Sequence, residues 1–431
     1  MASQVNPPRG MRDMLPAEHR RRAHVAGIIR DAFSDHGFEE IETPVVELAE
    51  RLHAGLGGDN EKLAFGIQRR GLTVDDLRAA ASPAELADLG LRFDLTVPLA
   101  RYYATNRAEL PSVVRTIQIA PVWRAERPQA GRYRQFVQCD IDVVGEPGIQ
   151  AELELVAATG DALARLGLGD AFLRVNDRRI LHAMLEAAGV PDAAREGALI
   201  TIDKLDKIGR DGVAGELDAA GIDGAAVLAR IDAVAAGDWS SLPDEATEAL
   251  RTLLAVDAAD LGVRLELDPS LVRGMGYYTG VIMEIAHPAV PYSIGGGGRY
   301  DGMVGRFLGT DVPAAGISFG FERLIDLVDV VADEGAETVG ILHDRDLPPA
   351  TLVAVKRRVV ASGRAVRVAR RTKNVARVLD GLAASGATHM LALRADADPA
   401  GDLDVQPLRA PESTTLRTPE STTLRASEST T

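Results

Sequence analysis

The stretch Pro121-Val-Trp-Arg-Ala-Glu-Arg-Pro-Gln-Ala-Gly-Arg-Tyr-Arg-Gln-Phe-Val-Gln-Cys-Asp-Ile-Asp142 decides the fold class. Its second half alternates: Phe136, Gln138, Asp140 and Asp142 share one side, Val137, Cys139, Ile141 and Val143 the other. Period two marks a β-strand, here with one apolar face to bury and one face of amide and carboxylate groups. Val113 to Trp123 is also strand-like and ends on Arg124, with Arg127, Pro128, Gly131 and Arg132 in the connection. A hairpin with guanidinium groups at its tip and carboxylates along one strand can hold a polyanion beside an amine. The same pattern fits a solvated hairpin laced with surface ion pairs.

Around this hairpin the pattern switches between periods. A helix is expected from about Pro16 to His36, with Val25, Ile28, Ile29 and Phe33 inward and Gly37 as its stop. Phe38 to Pro44 reads as a strand ended by proline, and Leu91-Arg-Phe as a short strand. Asp94-Leu-Thr96 opens a helix, with Thr96 as N-cap and Pro98 in the first turn. Asp94 and Thr96 are therefore either cap or site residues. Alanine and leucine at helical spacing fill 178–258, interrupted at Gly212, Gly221 and Gly237. Strands follow at Tyr277 to Ala286, Ile294 to Asp301 and Gly316 onward, the last running into a helix. Tyr277 and Tyr278 straddle a strand, which turns one of them toward the core.

These patterns divide the chain into 1–177, a helical insertion 178–258, a return of the first domain at 259–332, a linker 333–338, and a domain 339–407. In the last, strands and helices alternate, giving a small α/β unit with a partly or wholly parallel sheet. Residues 408–431 repeat eight residues three times (LRAPESTT, LRTPESTT, LRASESTT). One leucine per repeat offers too little apolar surface to offset ordering, so a disordered tail is expected.

Composition excludes several classes. The chain of 431 residues is 46% hydrophobic, enough for two to three domains with real cores. Its one cysteine, Cys139, rules out an intramolecular disulfide and suits the cytoplasm. No run of about 18 apolar residues and no signal peptide are seen, so no membrane span is expected. The net charge of −15 argues against a general nucleic-acid binder. Yet Lys356, Arg357, Arg358, Arg364, Arg367, Arg370, Arg371, Lys373 and Arg377 form an island without a single acidic residue. It suits a phosphate backbone, or equally a solvated helix face. The eight histidines show no metal-ligand spacing. Gly295 to Gly298 lacks the Gly-Lys-Ser/Thr ending of a phosphate loop, so those glycines are expected to admit a close neighbour.

Seven segments carry a resemblance in order: Pro7–Asp13, Gly37–Pro44, Pro121–Asp142, Asp203–Gly209, Arg273–Thr279, Gly297–Gly302 and Gly316–Arg323. Over residues 7 to 407 the chain resembles the histidyl-tRNA synthetases, which are class II aminoacyl-tRNA synthetases. Gly37–Pro44 is similar to motif 1, associated with the dimer interface, the opening hairpin to motif 2, and Gly316–Arg323 to motif 3. The resemblance implies an α+β fold: a class II antiparallel sheet flanked by helices, a helical insertion, and a C-terminal α/β anticodon-binding domain. It implies a cytoplasmic homodimer that activates L-histidine with ATP and Mg²⁺ and transfers it to the 3′ end of tRNA-His. Arg124, Arg273 and Arg323 would be catalytic and, with Glu126, would meet ATP. Asp94, Thr96, Gln138, Asp142, Tyr277, Tyr278 and Tyr300 would bind histidine. Arg127 at the hairpin tip and Arg367, Arg370, Arg371 and Lys373 of the basic island would meet tRNA. No local pattern identifies Mg²⁺ ligands.

The chain departs from the family pattern at Gly276, where aspartate is usual, and at Ala125, where histidine is common. Its C-terminal domain also looks short. The alternative reading is the synthetase-like regulatory subunit of ATP phosphoribosyltransferase, which shares the catalytic fold but lacks the anticodon-binding domain. Arg124, Arg273, Arg323 and the basic α/β segment favour the enzyme.

Overall fold

The computed structural model describes residues 5–53, 63–127, 132–272, 277–329 and 337–408. Arg273 and Gly276, the tip Pro128–Gly131, most of the 333–338 linker and all but the first residue of the eight-residue repeats lie outside the described residues. The chain separates into two compact units, Met1–Val330 and Val331–Thr431.

The first unit contributes β1 (Glu39–Glu40), β2 (Val46–Leu48), β3 (Phe65–Gln68), β4 (Ala87–Leu91), β5 (Val114–Trp123), β6 (Gln135–Val144), β7 (Phe172–Asp177), β8 (Arg264–Leu267), β9 (Val281–Ala286), β10 (Gly295–Arg299) and β11 (Ala314–Gly320). Eight of them form one sheet in the order β1-β5-β6-β11-β10-β9-β7-β8, and β2-β4-β3 form a small sheet. The large sheet is antiparallel from β5 through β7, with a parallel strand at each edge. That is the expected antiparallel α+β architecture.

One face of the sheet is apolar. Cys139, Ile141 and Val143 of β6 are fully buried on it, opposite Phe319, Ile317 and Ala315 of β11. The helix Pro16–Asp35 packs there, burying Val25, Ile29 and Phe33, and Phe33 stacks on Phe319 at 5.8 Å between ring centroids. The helix Gln150–Arg165 covers the rest of that face. Removing so many aliphatic side chains from water is what fixes the register of the central strands.

Between β7 and β8 the chain leaves the sheet as helices Arg178–Ala187, Asp192–Ile202, Leu205–Ala219, Gly224–Ala235, Asp244–Leu254 and Ala258–Leu261. Gly221 and Gly237 follow helix ends at positive φ, as their spacing suggests. Gly212 does not interrupt: the break falls at Gly209, where φ 69° and ψ 177° kink the helix. Glycine there meets a backbone that L residues avoid.

Several boundaries differ from the sequence reading. The strand expected over Phe38–Pro44 is ladder-paired only at Glu39 and Glu40, and the strand expected at Leu91–Phe93 ends at Leu91. The strand placed from Tyr277 begins at Val281. The helix after Asp94 starts at Thr96 with Leu95 at the N-cap position, and it is Asp94, one residue earlier, whose Oδ1 accepts the Val97 N–H of the first turn at 3.1 Å.

The second unit holds β12 (Thr338–His343), β13 (Ala365–Arg370), β14 (His389–Leu393) and β15 (Val405–Pro407) in the order β13-β12-β14-β15. Both β12 pairings are parallel and β14–β15 is antiparallel, so the sheet is only partly parallel. Val339, Ile341 and Leu391 meet Val355 and Val359 of the helix Pro349–Ala361 in a small core, and the helix Val375–Ala384 brings Leu382 against Gly340.

Candidate active site

On the other face of the large sheet, β6 presents Gln138, Asp140 and Asp142, while β11 sets Gly320, Ser318 and Gly316 directly across from them. β10 continues that surface with Gly296 and Gly298. A row of residues with little or no side chain beside a row of carboxylates leaves a trough. A cleft of about 540 Å³ opens over it. Asp94, Thr96, Arg124, Glu126, Gln138, Asp142, Tyr277, Tyr278, Tyr300 and Arg323 all line this cleft, so the fold gathers ten of the sequence-predicted residues. Arg127 stands exposed beside the hairpin tip and does not line it.

At one end of the cleft lie buried acids. Tyr300, just past β10, donates its hydroxyl to Asp142 Oδ1 at 2.5 Å. Burial pushes the Asp142 carboxyl up to about 7, the Tyr300 bond opposing it and the Asp94 charge adding to it. Asp94 is likewise pushed up to about 6 by burial, against the Val97 N–H bond and the Arg124 charge. Its Oδ2 is buried and has no hydrogen-bond partner. One carboxylate thus does both things that sequence left open: one oxygen caps the helix and the other faces a place for a donor.

Tyr277, Tyr278 and Tyr300 form a connected aromatic wall, with centroid separations of 4.8 Å and 6.1 Å along it. Both Tyr277 and Tyr278 line the cleft, contrary to the expectation that one would turn to the core. The physical reason is that residues 277–280 precede β9, so strand alternation does not apply to them.

Gln138 Nε2 donates to Ser318 Oγ at 3.2 Å and approaches both oxygens of Asp140 at 3.4 and 3.5 Å. With its N–H groups spent there, Gln138 Oε1 is left buried without a partner. Asp140 is buried too, and burial together with the Asp142 charge raises its carboxyl well above the usual range. Three buried carboxylates and an unpaired amide oxygen in one trough invite an ammonium and other donors.

The opposite end is cationic. Arg124 follows β5, and its Nε donates to the Phe93 carbonyl at 3.0 Å while its guanidinium lies 5.0 Å from the Phe136 ring centroid. Arg323 opens the helix Phe321–Leu327 beyond β11. It donates to the Ser293 carbonyl at 2.8 Å and sits over Tyr292. These contacts fix two guanidinium forks against the cleft wall, an arrangement suited to phosphoryl oxygens.

Sequence reasoning assigned no role to Asp140, Ser318, Glu284 or Glu322, all of which line the cleft. Asp140 and Ser318 were detectable, since they share strand parity with Gln138 and with Gly316 and Gly320. Glu322 was visible only as the neighbour of Arg323 within the motif 3 resemblance, Gly316–Arg323. It accepts Arg22 through both oxygens, at 2.6 and 2.7 Å, and Arg12 at 2.5 Å, contacts some three hundred residues apart in sequence.

In the second unit the basic island is not one continuous face. Register places Arg367 beside Gly340 and Arg370 beside His343, on opposite sides of the sheet. Arg364 pairs with Glu337, Arg371 with Asp344 at 2.7 Å, and Arg358 donates to the carbonyls of Pro399 and Gly401. Arg367, Arg370 and Lys373 are exposed.

Residues 10–324 match the profile of a protein family described as histidyl-tRNA synthetase. A histidine–tRNA ligase from Leifsonia xyli subsp. xyli is 55% identical over 432 aligned residues, covering 95% of this chain and 99% of that protein. The crystal structure of histidyl-tRNA synthetase from Nostoc sp. PCC 7120 superposes with a TM-score of 0.75 at 26% identity, over 94% of this chain and 95% of that one. A Bacillus halodurans structure, described as an ATP phosphoribosyltransferase regulatory subunit/histidyl-tRNA synthetase, reaches the same TM-score of 0.75 at 19% identity, covering 91% and 99%. That last likeness is one of fold.

Proposed function

The chain belongs to the histidyl-tRNA synthetase family, and from that premise we propose how its cleft performs histidine–tRNA ligation. A carboxylate oxygen of L-histidine attacks the α-phosphorus of ATP; the new C–O–P link forms as the bridging bond to the β-phosphate breaks, and its electrons leave on pyrophosphate. The ribose hydroxyl at the 3′ end of tRNA-His then attacks the activated carbonyl, and AMP departs. A carboxylate is already nucleophilic, so the protein's task is to bring two anions together and stabilise charge at phosphorus.

The observation that carries this reading is the polarity of the cleft: buried, incompletely paired acceptors at one end and fixed guanidinium groups at the other. Asp94, Thr96 and Gln138 receive the α-ammonium; Asp142 and Tyr278 meet the two ring nitrogens; Tyr277 and Tyr300 line the pocket. A substrate without imidazole leaves these buried groups unpaired, which is how polar sites discriminate. Arg124 holds the α-phosphate, Arg323 the γ-phosphate, and Glu126 the adenylate side. Arg273 is proposed for the α-phosphate from its sequence segment alone. Mg²⁺ bound with ATP would neutralise charge on its outer phosphates. Among the described residues no group of three His, Cys, Asp or Glu is placed to hold a metal.

We further infer a homodimer working in the cytoplasm, where tRNA is charged. The homodimer is inferred from the likeness of Gly37–Pro44 to motif 1. Among the described residues no helix is long and apolar enough to cross a membrane. The second unit is assigned to the anticodon arm through Arg367, Arg370, Arg371 and Lys373, and Arg127 to the acceptor end. The regulatory-subunit alternative does not need phosphate-binding arginines, yet Arg124 and Arg323 stand in the cleft. Histidine-dependent ATP–pyrophosphate exchange decides between them: exchange is expected, and its absence with folded protein sinks the ligase reading.

A further inference from the structure

The segment before the first helix crosses the cationic end of the cleft. The Gly10 carbonyl accepts the Arg134 N–H at 2.8 Å, joining the segment to the returning arm of the β5–β6 hairpin. Two residues on, the Arg12 guanidinium lies 3.6 Å from the centroid of the Tyr133 ring. Its Nη2 reaches Glu322 Oε2 at 2.5 Å. Tyr133 and Glu322 both line the cleft, and Glu322 immediately precedes Arg323. Glu322 Oε1 also accepts the Val137 N–H of β6 at 3.3 Å.

We propose that Arg12 is a positioning residue for ATP, clamping the returning arm of the hairpin at Tyr133 to the helix that carries Arg323. The proposal rests on the reading above that the hairpin and Arg323 hold ATP. Arginine suits the task because one planar group offers a face to an aromatic ring and an edge to a carboxylate at the same time. Glu322 is already held by Arg22, so a second guanidinium is not needed to neutralise it. What Arg12 alone adds is the tie to Tyr133. The hairpin arm at Tyr133 and Arg323 belong to elements more than a hundred residues apart, and the proposed site has them hold one nucleotide between them. A fixed distance between the two arms removes motion that ATP would otherwise have to arrest on binding. The residues proposed to hold histidine on this arm, Gln138 and Asp142, lie further along β6, and Arg12 contacts neither of them.

The test is calorimetric binding of ATP and of histidine to the whole chain and to its Arg12→Ala and Arg12→Lys variants. Arg12→Ala is expected to weaken ATP about tenfold, the scale of one charge-assisted contact plus a cation–π face. Histidine affinity should stay within about twofold, since no histidine contact is lost. Arg12→Lys keeps the ion pair to Glu322 and loses the planar face, so its ATP affinity should fall between the two. An unchanged ATP affinity in both variants overturns the proposal, and so does an equal loss for ATP and histidine, which marks a merely structural residue. If Arg12→Ala does not fold, Arg12→Lys decides by the same comparison. Binding needs no turnover, so a wild-type protein that binds ATP without pyrophosphate exchange would fault the ligase reading and leave the clamp testable.

Discussion

Tyr300 donates its hydroxyl to Asp142 Oδ1 across 2.5 Å, joining the end of β10 to the last residues of β6, with Gly298 and Gly316 between them in the sheet. The bond fixes the carboxylate plane within a wall of three tyrosines while leaving acceptor capacity for a ring N–H.

Asp142→Asn keeps the shape and removes the charge. The Michaelis constant for histidine in pyrophosphate exchange should rise about a hundredfold, the cost of losing a buried charged hydrogen bond. That for ATP should stay within about twofold. The same substitution should raise the melting temperature of the unliganded protein at pH 8. The folded-state carboxyl titrates near 7 against an ordinary value of 3.8. Its stabilising influence is therefore complete below the unfolded value and lost as pH rises through about 7. Asparagine removes that penalty. A lower melting temperature at pH 8 would contradict this account.

Histidine binding should strengthen as pH rises. An ammonium and a ring N–H both need ionised acceptors, and Asp94 and Asp142 titrate near 6 and 7 in the unliganded cleft. The Michaelis constant for histidine should fall from pH 5.5 to 8, by about tenfold for each pH unit in which one such acid must ionise. Tyr300→Phe deletes the hydroxyl that favours the charged form of Asp142, so the curve should move to higher pH. Superimposable curves for the two proteins would remove Tyr300 from this role.

Gly316 is required by the carboxylate opposite it. A Cβ built there would lie 1.9 Å from Asp142 Oδ1. Gly316→Ala should therefore displace Asp142 and raise the histidine Michaelis constant about a hundredfold, as losing the charged contact does. Adding Asp142→Gly removes the clash and should recover melting temperature without recovering histidine use. If the double variant is no more stable than Gly316→Ala, the clash is not the cause.

How much of this was legible in sequence depended on the range of each signal. Alternation through Phe136 to Val143 revealed β6, its buried face and its polar face, because period two is a local property. Helix Pro16–Asp35 was equally plain from its apolar stripe. Arg124 stood out from the hairpin itself and Asp94 only as a cap or site residue, whereas joining them to Arg323 in one site took the family resemblance, since residues from three elements share no spacing. The cap at Asp94 was misassigned to Thr96 because both residue types cap helices and only geometry shows which oxygen accepts the Val97 N–H. The Arg12–Glu322 contact was invisible, since nothing in either neighbourhood points three hundred residues away. The basic island was visible as composition, but strand register, which splits Arg367 from Arg370, was not.

The register also separates paired from exposed cations. Arg371 is held by Asp344, whereas Arg370 and Lys373 are exposed at the same end of the second unit's sheet. If tRNA docks there, Arg370→Ala with Lys373→Ala should weaken tRNA-His severalfold in aminoacylation and lower the salt slope by about two phosphate contacts. Pyrophosphate exchange, which involves no tRNA, should be untouched. Arg371→Ala should behave differently, because it removes the closer of Asp344's two arginine partners, leaving Arg394 at 3.9 Å, and so lowers the unit's stability before it weakens tRNA. Aminoacylation and exchange measured at two salt concentrations separate these outcomes. Equal losses in both reactions, or an unchanged salt slope in the double variant, would move the tRNA contact away from this end of the sheet.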